Sequence, residues 1–258
     1  MIKFHNRAYD IAYLCYRWIK PAFDPVQAVR SVPGYVRYLG DWFRYGRLEG
    51  SESRALIDTA PMIGEGTAET PFLRHYFHQD IWAFRKIKES GVDAHLDVGS
   101  RIDLIGFLTV ICKVTFVDIR PLVVELPNFE SVSGSILALP MAANSVRSLS
   151  CLHVAEHIGL GRYGDDLDPH GTRNACRELT RVLAPGGNLY FSLPVGKPRL
   201  CFNAHRIHSV EQILEYFREL VLVEFSGIDD DRKFTTNIAT TAFRNADYAC
   251  GLFHFTKK

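Results

Sequence analysis

Residues 153–170 are the part of this sequence richest in side chains able to do acid–base chemistry. They follow an apolar pattern at 146–152 that predicts a β-strand, and ligands of open α/β sheets bind beyond the carboxyl ends of such strands. His153, Glu156 and His157 would converge if the segment turns helical, because residues three and four apart share one face. An imidazole titrates near neutral pH, so either histidine could remove a proton from a substrate hydroxyl while Glu156 fixes its tautomer.

Further polar side chains follow on a loop that contains several glycines. Arg162 carries a fork of donors suited to a phosphate or carboxylate. The predicted catalytic residues are His153, Glu156, His157, Arg162 and Asp165. Asn203-Ala-His205-Arg206 follows the fifth predicted strand and therefore opens on the same edge of the sheet. The predicted substrate-binding residues are Tyr163, Asp168, His170, Asn203, His205 and Arg206.

Three other interpretations of this stretch remain open. His153-Val-Ala-Glu-His157 formally matches the inverted zinc-protease motif, but it follows a strand instead of lying in a long helix, and no compelling third ligand is evident. Asp165, Asp166, Asp168 and His170 could hold Mg²⁺ or another hard divalent ion, although acidic loops are more often solvated. One of the histidines could instead be a core residue on an architectural loop. No metal site is therefore predicted, and a divalent ion stays an alternative.

A second candidate site begins where a predicted strand ends in Asp97-Val-Gly99. Gly99 lets the chain turn sharply into a helix near Leu104 at little steric cost. The next strand, 114–118, ends in Asp118, twenty-one residues after Asp97. An acid at that separation is placed to bind a ribose hydroxyl. Arg101 and Asp103 stand where a nucleotide-binding turn has two more glycines, so we expect them to obstruct the ligand's approach.

From about residue 93 the chain alternates strand and helix patterns, which predicts a mostly parallel sheet covered on both faces. Five more strands are predicted at 132–136, 146–152, 188–193, 220–225 and 249–255, the last two as a hairpin at the sheet edge. Helices are predicted at 81–88, with Asp80 as N-cap, and at 172–183 and 210–219. The predicted fold is α/β, with a seven-stranded sheet in residues 91–258.

The composition sets broad limits on the class of protein. The chain has 258 residues, a net charge of +1 and 47% hydrophobic residues, so no overall charge points to nucleic acid. Its six cysteines show no paired spacing, which argues against a disulfide framework and fits a reducing cytoplasm. Neither a signal peptide nor an apolar run long enough to span a bilayer is recognisable, so we expect a cytoplasmic protein.

Residues 1–90 are predicted to be a helical, basic and aromatic extension. The first 50 residues contain eight Lys or Arg, four Asp or Glu and eleven aromatic residues. Tyr9, Tyr13 and Tyr16 recur at helical spacing, and Asp24-Pro25 predicts the start of a second helix, followed by another apolar stretch at 36–48. These helices could pack on the main domain or on a second subunit, or they could contact the inner face of the cytoplasmic membrane.

Two sets of motifs resemble known families. One set is similar to the class I S-adenosylmethionine-dependent methyltransferases over about residues 90–256, and its motifs are Leu96-Asp-Val-Gly99, Val117-Asp118, Leu139-Pro140, Glu156-His157 and Arg181-Val-Leu-Ala-Pro-Gly-Gly187. The other set resembles, more specifically, the bacterial domain of unknown function 268 family, and its motifs are His75-Tyr-Phe-His-Gln-Asp80, residues 150–165 and Phe202-Asn-Ala-His-Arg206. Members of that family tend to belong to surface-polysaccharide biosynthesis, so the resemblance implies that setting.

The resemblance implies that S-adenosylmethionine is the cofactor and that a sugar hydroxyl, in a polysaccharide or its activated precursor, accepts the methyl group. Ser135 stands where the methyltransferase pattern has an acid that contacts adenine. The residues assigned to the cofactor are Asp97, Gly99, Ser100, Arg101, Asp118 and Ser135. Alternatively, Asp97 merely caps the turn, Arg101 pairs with Asp97 or Asp103, and the pocket takes another ligand.

Two alternatives to methyl transfer follow from the departures at Arg101 and Asp103. The same scaffold could carry out different chemistry on nucleotide- or lipid-linked sugars. It could also be a non-catalytic protein that organises glycan biosynthesis through its aromatic helices.

Overall fold

A computed structural model of the chain describes residues 7–258, without the side chains of residues 7–10. The chain forms two compact units, one ending at Pro71 and one running from Phe72 to Lys258. The sequence prediction placed this boundary at residue 90, but helix α3 (Arg74–Ser90) lies in the second unit. The reason is its apolar face, because Trp82, Ala83 and Ile87 are buried in that unit's core.

The first unit contains two long helices, α1 (Arg7–Ile19) and α2 (Pro25–Tyr45), and a short 3₁₀ turn at Leu56–Asp58. The predicted cap of α2 is confirmed, since Asp24 accepts a hydrogen bond from the Gln27 amide. The apolar stretch 36–48 is largely the second half of α2, not a separate helix. The side chain of Tyr9 lies outside the described residues. Among described residues, no helix is both long and apolar enough to cross a membrane.

The second unit is built on a mostly parallel sheet with the order β3-β2-β1-β4-β5-β10-β8-β9. The strands are β1 (Ala94–Val98), β2 (Lys113–Asp118), β3 (Phe129–Ser133), β4 (Val146–Leu152), β5 (Leu183–Val195), β8 (Leu220–Ile228), β9 (Phe234–Thr235) and β10 (Ala249–Lys257). β6 (Arg199–Cys201) and β7 (His205–Ile207) form a separate hairpin. The first five strands of the sheet run parallel, whereas β10 is antiparallel to both β5 and β8.

This sheet corrects the prediction of seven strands. The eighth strand, β9, has two residues, too few to show a periodic pattern. β10 does not close the sheet edge with β8 but inserts between β5 and β8. β3 starts three residues before the predicted 132–136, and β5 starts at Leu183 because its Gly-Gly segment lies in an irregularity of the β4–β5 pairing.

Helices cover both faces of the sheet and leave its carboxyl edge open. One core joins the sheet to α5 (Gly171–Val182) and α6 (Val210–Tyr216), and the other joins it to α3 and α4 (Ile102–Leu108). β1 and β4 are buried along most of their length, as expected for central parallel strands. Residues that follow β1, β2 and β4 therefore meet at one edge.

A buried polar chain links β1 to β4 beneath that edge. The His95 ring lies between the hydroxyls of Ser148 (2.7 Å) and Ser150 (2.8 Å), and Ser150 donates to Asp97. Burial lowers the pKa of His95 to about 3, so the ring is neutral. Burial also raises the pKa of Asp97 to about 6, because the hydrogen bonds from Ser150 and Ser100 only partly offset the loss of water.

The raised pKa of Asp97 predicts a specific pH dependence of stability. Because folding raises this pKa from 3.8 to about 6, the contribution is fully present below 3.8 and is lost as the pH rises through 6. In Asp97→Asn the Oδ1 can still accept from the Ser100 amide and the Nδ2 can donate to the Ser150 hydroxyl oxygen, and the side chain does not ionise. Between about pH 4 and pH 8 the variant should therefore gain about 3 kcal/mol relative to the parent protein. Urea unfolding across this range measures the difference. Exposed Asp93→Asn is the control, and parallel pH profiles for Asp97→Asn and the parent would contradict the prediction.

Candidate functional site

The turn after β1 is held by Asp97 itself. Asp97 is fully buried, and its Oδ1 accepts the Ser100 amide at 2.9 Å. The Ser100 hydroxyl accepts the Leu152 amide, which ties the turn to β4. Asp97 does not line the cavity beyond β1, and its two oxygens accept hydrogen bonds from the Ser100 amide in the turn and from the Ser150 hydroxyl on β4, so its assignment to the cofactor stays a prediction.

Arg101 and Asp103 do not obstruct the site. Arg101 pairs with Asp103 at 2.6 Å and lies 3.9 Å from Asp80, with its guanidinium over the Tyr76 ring. Neither Arg101 nor Asp103 lines the cavity beyond β1. The expected obstruction is therefore wrong, because an ion pair holds the Arg101 side chain elsewhere. Asp80 lies inside α3 and is not its N-cap, since that helix begins at Arg74.

A cavity of about 110 Å³ lies at the carboxyl edge of the sheet, between the ends of β1, β2 and β4. Gly99, Asp118, Ser135, His153, His157 and Tyr163 are among its lining residues. Gly99 has φ +68°, and a Cβ there would come within 3.1 Å of Val154 and 3.4 Å of the Asp118 Oδ2. Glycine thus keeps the backbone open to a ligand beside that carboxylate. The other oxygen of Asp118 accepts the Arg120 amide at 2.7 Å.

His153 and Glu156 form a buried ion pair directly after β4. The His153 Nδ1 lies 2.8 Å from the Glu156 Oε1, and its Nε2 lies 3.3 Å from the Cys250 Sγ. Burial alone would lower the pKa of His153, but Cys250 and Glu156 outweigh it and hold that pKa well above its usual value. Burial would raise the pKa of Glu156, but His153 reverses this and lowers it. Both ring nitrogens of His153 are therefore engaged in this structure.

His157 differs from His153 in both charge and exposure. Its Nδ1 lies 2.6 Å from the Ala204 carbonyl oxygen, which can only accept, so Nδ1 carries the proton. The Nε2 of the neutral ring keeps its lone pair and lies 3.7 Å from the Glu156 Oε1. Burial lowers the pKa of His157 although Glu156 acts in the opposite direction, which favours the neutral form. The 3₁₀ turn Ala155–His157 brings the three predicted residues together, as the spacing indicated.

Aromatic rings from distant segments of the chain lie around the His153–Glu156 ion pair. His75 stacks between His153 (6.3 Å) and Tyr248 (5.6 Å), and His205 lies 5.2 Å from Tyr248. Burial and His153 lower the pKa of His75 to about 4. Tyr248 and Cys250 were not predicted for the site, since they lie outside the motifs and reach it only through the position of β10 in the sheet. Arg120 was not predicted either, although it lines the cavity two residues after Asp118.

The loop after His157 uses most of its polar groups on its own backbone. Asp165 accepts the amides of Gly159 (2.6 Å) and Tyr163 (3.2 Å), and Asp168 accepts the His170 amide and the Asn174 side chain. A Cβ at Gly159 would meet the Asp168 carbonyl at 2.2 Å, so the loop closes on itself there.

The residues predicted to bind substrate occupy three different environments. Arg206 donates to the carbonyls of Ile158 (2.5 Å) and Asp168 (2.8 Å), and Asn203 donates to Leu160, so both brace the loop. Arg162 is exposed, donates to the Ala204 carbonyl and lies over the Tyr163 ring, and Tyr163 lines the cavity. His170 lies outside that cavity, at the N-cap of α5.

No group of three or more His, Cys, Asp or Glu side chains within residues 7–258 is arranged to hold a metal ion. For the zinc alternative, the structure shows His153 bonded to Glu156 and Cys250, not facing a shared point with His157.

Comparisons with known proteins show which fold the chain shares. A family model described as "Caenorhabditis protein of unknown function, DUF268" matches residues 141–238, and its description gives no support to a bacterial setting. No curated protein matches the chain. The N-methyltransferase NodS of Bradyrhizobium japonicum WM9, solved with S-adenosyl-L-homocysteine, aligns at 16% identity and TM-score 0.50 over 70% of this chain and 86% of NodS. Another NodS structure aligns at 18% and 0.51, over 70% and 95%. The chain thus has an α/β methyltransferase-like fold.

The buried His153–Glu156 ion pair predicts that removing the charge of Glu156 strongly lowers the stability of the fold. Glu156→Gln leaves His153 without a counter-ion, so it should lower the free energy of unfolding by roughly 2–4 kcal/mol. Urea denaturation near neutral pH measures this loss. Glu215→Gln removes an exposed ion pair with Arg218 and should leave stability nearly unchanged. A similar small effect for both variants would mean that the His153–Glu156 pair does not stabilise the fold.

Proposed function

We propose that this protein is an S-adenosylmethionine-dependent O-methyltransferase acting on a sugar of a polysaccharide or on its activated precursor. The observation that carries the proposal is the pairing of Asp118 and Gly99 with a neutral His157 around one cavity in a methyltransferase-like fold. A carboxylate beside a glycine without a side chain can bind the ribose of a nucleoside. A neutral imidazole can remove a proton from a hydroxyl group.

Residues around the cavity have the chemistry to hold the cofactor, which would supply an electrophilic methyl group on a sulfonium. The Asp118 Oδ2, on the side of Gly99, would accept from the ribose hydroxyls. The Ser135 hydroxyl accepts the Leu137 amide at 3.2 Å and can still donate, so it would replace the usual acid near adenine. The Ser100 hydroxyl fixes the turn after β1 by accepting the Leu152 amide. Asp97 would contribute only by holding that turn, through its hydrogen bond from the Ser100 amide.

His157 is the proposed general base. The Ala204 carbonyl fixes its Nδ1–H tautomer, which leaves Nε2 free to take a proton from the acceptor hydroxyl. Glu156 lies close enough to stabilise the imidazolium that forms. His153 then acts as a positioning residue that holds Glu156 in place. Tyr163, which lines the cavity, and Arg162, whose guanidinium lies over the Tyr163 ring, would contact the acceptor.

The aromatic first unit supports a contact function beside catalysis. Trp18, Val29 and Val36 of α1 and α2 are at least two-thirds exposed, and α2 buries none of its residues. Such faces are typical of surfaces that meet a membrane or another subunit. A cytoplasmic location at the inner membrane face, and a homo-oligomer, remain predictions.

Cofactor binding gives the first test. S-adenosylhomocysteine should bind the full-length protein with micromolar affinity, and Asp118→Ala should weaken binding at least tenfold because charged hydrogen bonds to ribose are lost. Isothermal titration measures both values. Asp103→Ala, outside the cavity, should bind like the parent. An ordered parent protein that binds no S-adenosylhomocysteine would remove the methyltransferase proposal in favour of other chemistry or a non-catalytic role.

Turnover gives the second test. His157→Ala should lower methyl transfer to nucleotide-linked sugars by about 10²–10⁴-fold, since a general base contributes that much. Its thermal unfolding temperature should stay close to that of the parent. His157→Gln keeps a side chain able to donate to Ala204 but lacks the basic nitrogen, so it should be equally slow. Equal losses of folding and activity would instead favour a packing role for His157.

A further inference from the structure

A second cavity, of about 320 Å³, lies beside the amino-terminal end of α5. Its lining combines three separate elements: Arg173 of α5, Arg199 of β6 and Arg206 of β7. His170 and His208 also line it, and no Asp or Glu among the described residues does. This basic cavity is therefore a concentration of positive charge in a chain whose net charge is only +1.

The arginines of the basic cavity have donors to spare. None of the three forms an ion pair with a carboxylate in residues 7–258, whereas the nearby Arg181, Arg218 and Arg244 all do. Arg173 and Arg199 are exposed, and the Arg199 guanidinium makes only a long 3.4 Å contact with the Lys197 carbonyl. Unpaired guanidinium groups facing one space are suited to bidentate binding of an oxyanion.

The amino-terminal end of α5 adds to the positive electrostatic potential of the basic cavity. Thr172 and Arg173 lie in the first turn of α5, a 12-residue helix whose first amides have no intrahelical acceptor. The partial positive charge of a helix amino terminus favours anions. His208 is 95% buried beside the cavity, and its Nδ1 has no partner in the described part of the chain. Burial and Arg206 lower the pKa of His208 to about 4, so its ring adds a neutral polar group and not a charge.

Arg206 connects the basic cavity to the proposed active site. Its guanidinium donates to the carbonyl of Ile158, a residue that lines the first cavity beside His157. The same guanidinium donates to the Asp168 carbonyl at the other end of the loop. Arg206 therefore bonds both ends of one loop, which borders the first cavity at Ile158 and leads into Pro169 and His170 of the basic cavity.

We propose that the basic cavity binds the phosphoryl group of a phosphorylated acceptor and so places its sugar beside His157. This inference rests on the proposed methyltransferase function and narrows its acceptor to a phosphate- or diphosphate-linked sugar. The phosphate can come from a nucleotide or from a lipid carrier, because both present the same tetrahedral oxyanion. Arg206 positions the loop, whereas Arg173 and Arg199 supply the charge that contacts the phosphate.

Titration of the full-length protein with inorganic pyrophosphate tests the site without a known acceptor. The parent should bind pyrophosphate, and Arg173→Gln and Arg199→Gln should each weaken binding about tenfold, as expected for one charge-assisted contact. Arg177→Gln is the matched control, because Arg177 is an exposed arginine one turn along α5 that does not line the cavity. Thermal unfolding of each variant confirms that it folds.

The outcomes distinguish a failure of the phosphate-site proposal from a failure of the methyltransferase proposal on which it rests. Pyrophosphate binding that is absent in the parent, or equal in Arg173→Gln, Arg199→Gln and Arg177→Gln, overturns the phosphate site whatever S-adenosylhomocysteine does. Pyrophosphate binding that needs Arg173 and Arg199 supports the site, and S-adenosylhomocysteine binding then decides the methyltransferase proposal by itself. Uridine diphosphate binding tighter than pyrophosphate indicates a nucleotide source. Tighter binding to phosphatidylcholine vesicles doped with a polyprenyl phosphate indicates a lipid source.

Discussion

The buried ion pair between His153 and Glu156 is the constraint on which the site depends. Two charges out of water are tolerated only when they are close and well bonded, and here they lie 2.8 Å apart at the end of β4. His153 has φ +56°, an uncommon backbone conformation for a residue with a side chain. The pair, together with the contact to Cys250 on β10, holds the chain in this conformation and starts the 3₁₀ turn that carries His157.

The conformation of the loop after His157 depends on hydrogen bonds to its backbone amides and carbonyls. A loop that folds back so closely exposes amides and carbonyls that water cannot all reach, so side chains must bond them. Asp165, Asp168 and Arg206 make these bonds. Their charges suggest catalysis in the sequence, yet in the structure these side chains bond the backbone of the loop itself. His157, Arg173 and Arg199 make no such bonds to the loop's closing amides and carbonyls, which is why the proposals assign ligand contacts to them.

Local patterns predicted the parts of the fold that depend on near neighbours. The parallel strands, the Asp24 cap and the convergence of Glu156 with its two histidines all follow from short spacings. The pairing of β10 with β5 and the burial of Asp97 could not be predicted, because both depend on partners more than 50 residues away. A carboxylate after a strand is the same in sequence whether it faces a ligand or a buried serine.

Charge divides the two cavities in a way that suits two different ligands. Asp118 and Asp165 line the first cavity, and its one arginine, within the described residues, is Arg120, whose guanidinium lies over the Tyr163 ring. Under the proposed function, a cationic sulfonium cofactor would meet two carboxylates there, whereas Arg173 and Arg199 would repel it in the second cavity, which no described Asp or Glu lines. A phosphorylated acceptor has the opposite preference. Each ligand would therefore be directed to its own side of the loop before either makes a specific contact, and the neutral imidazole of His157 lies in the first cavity, next to that loop.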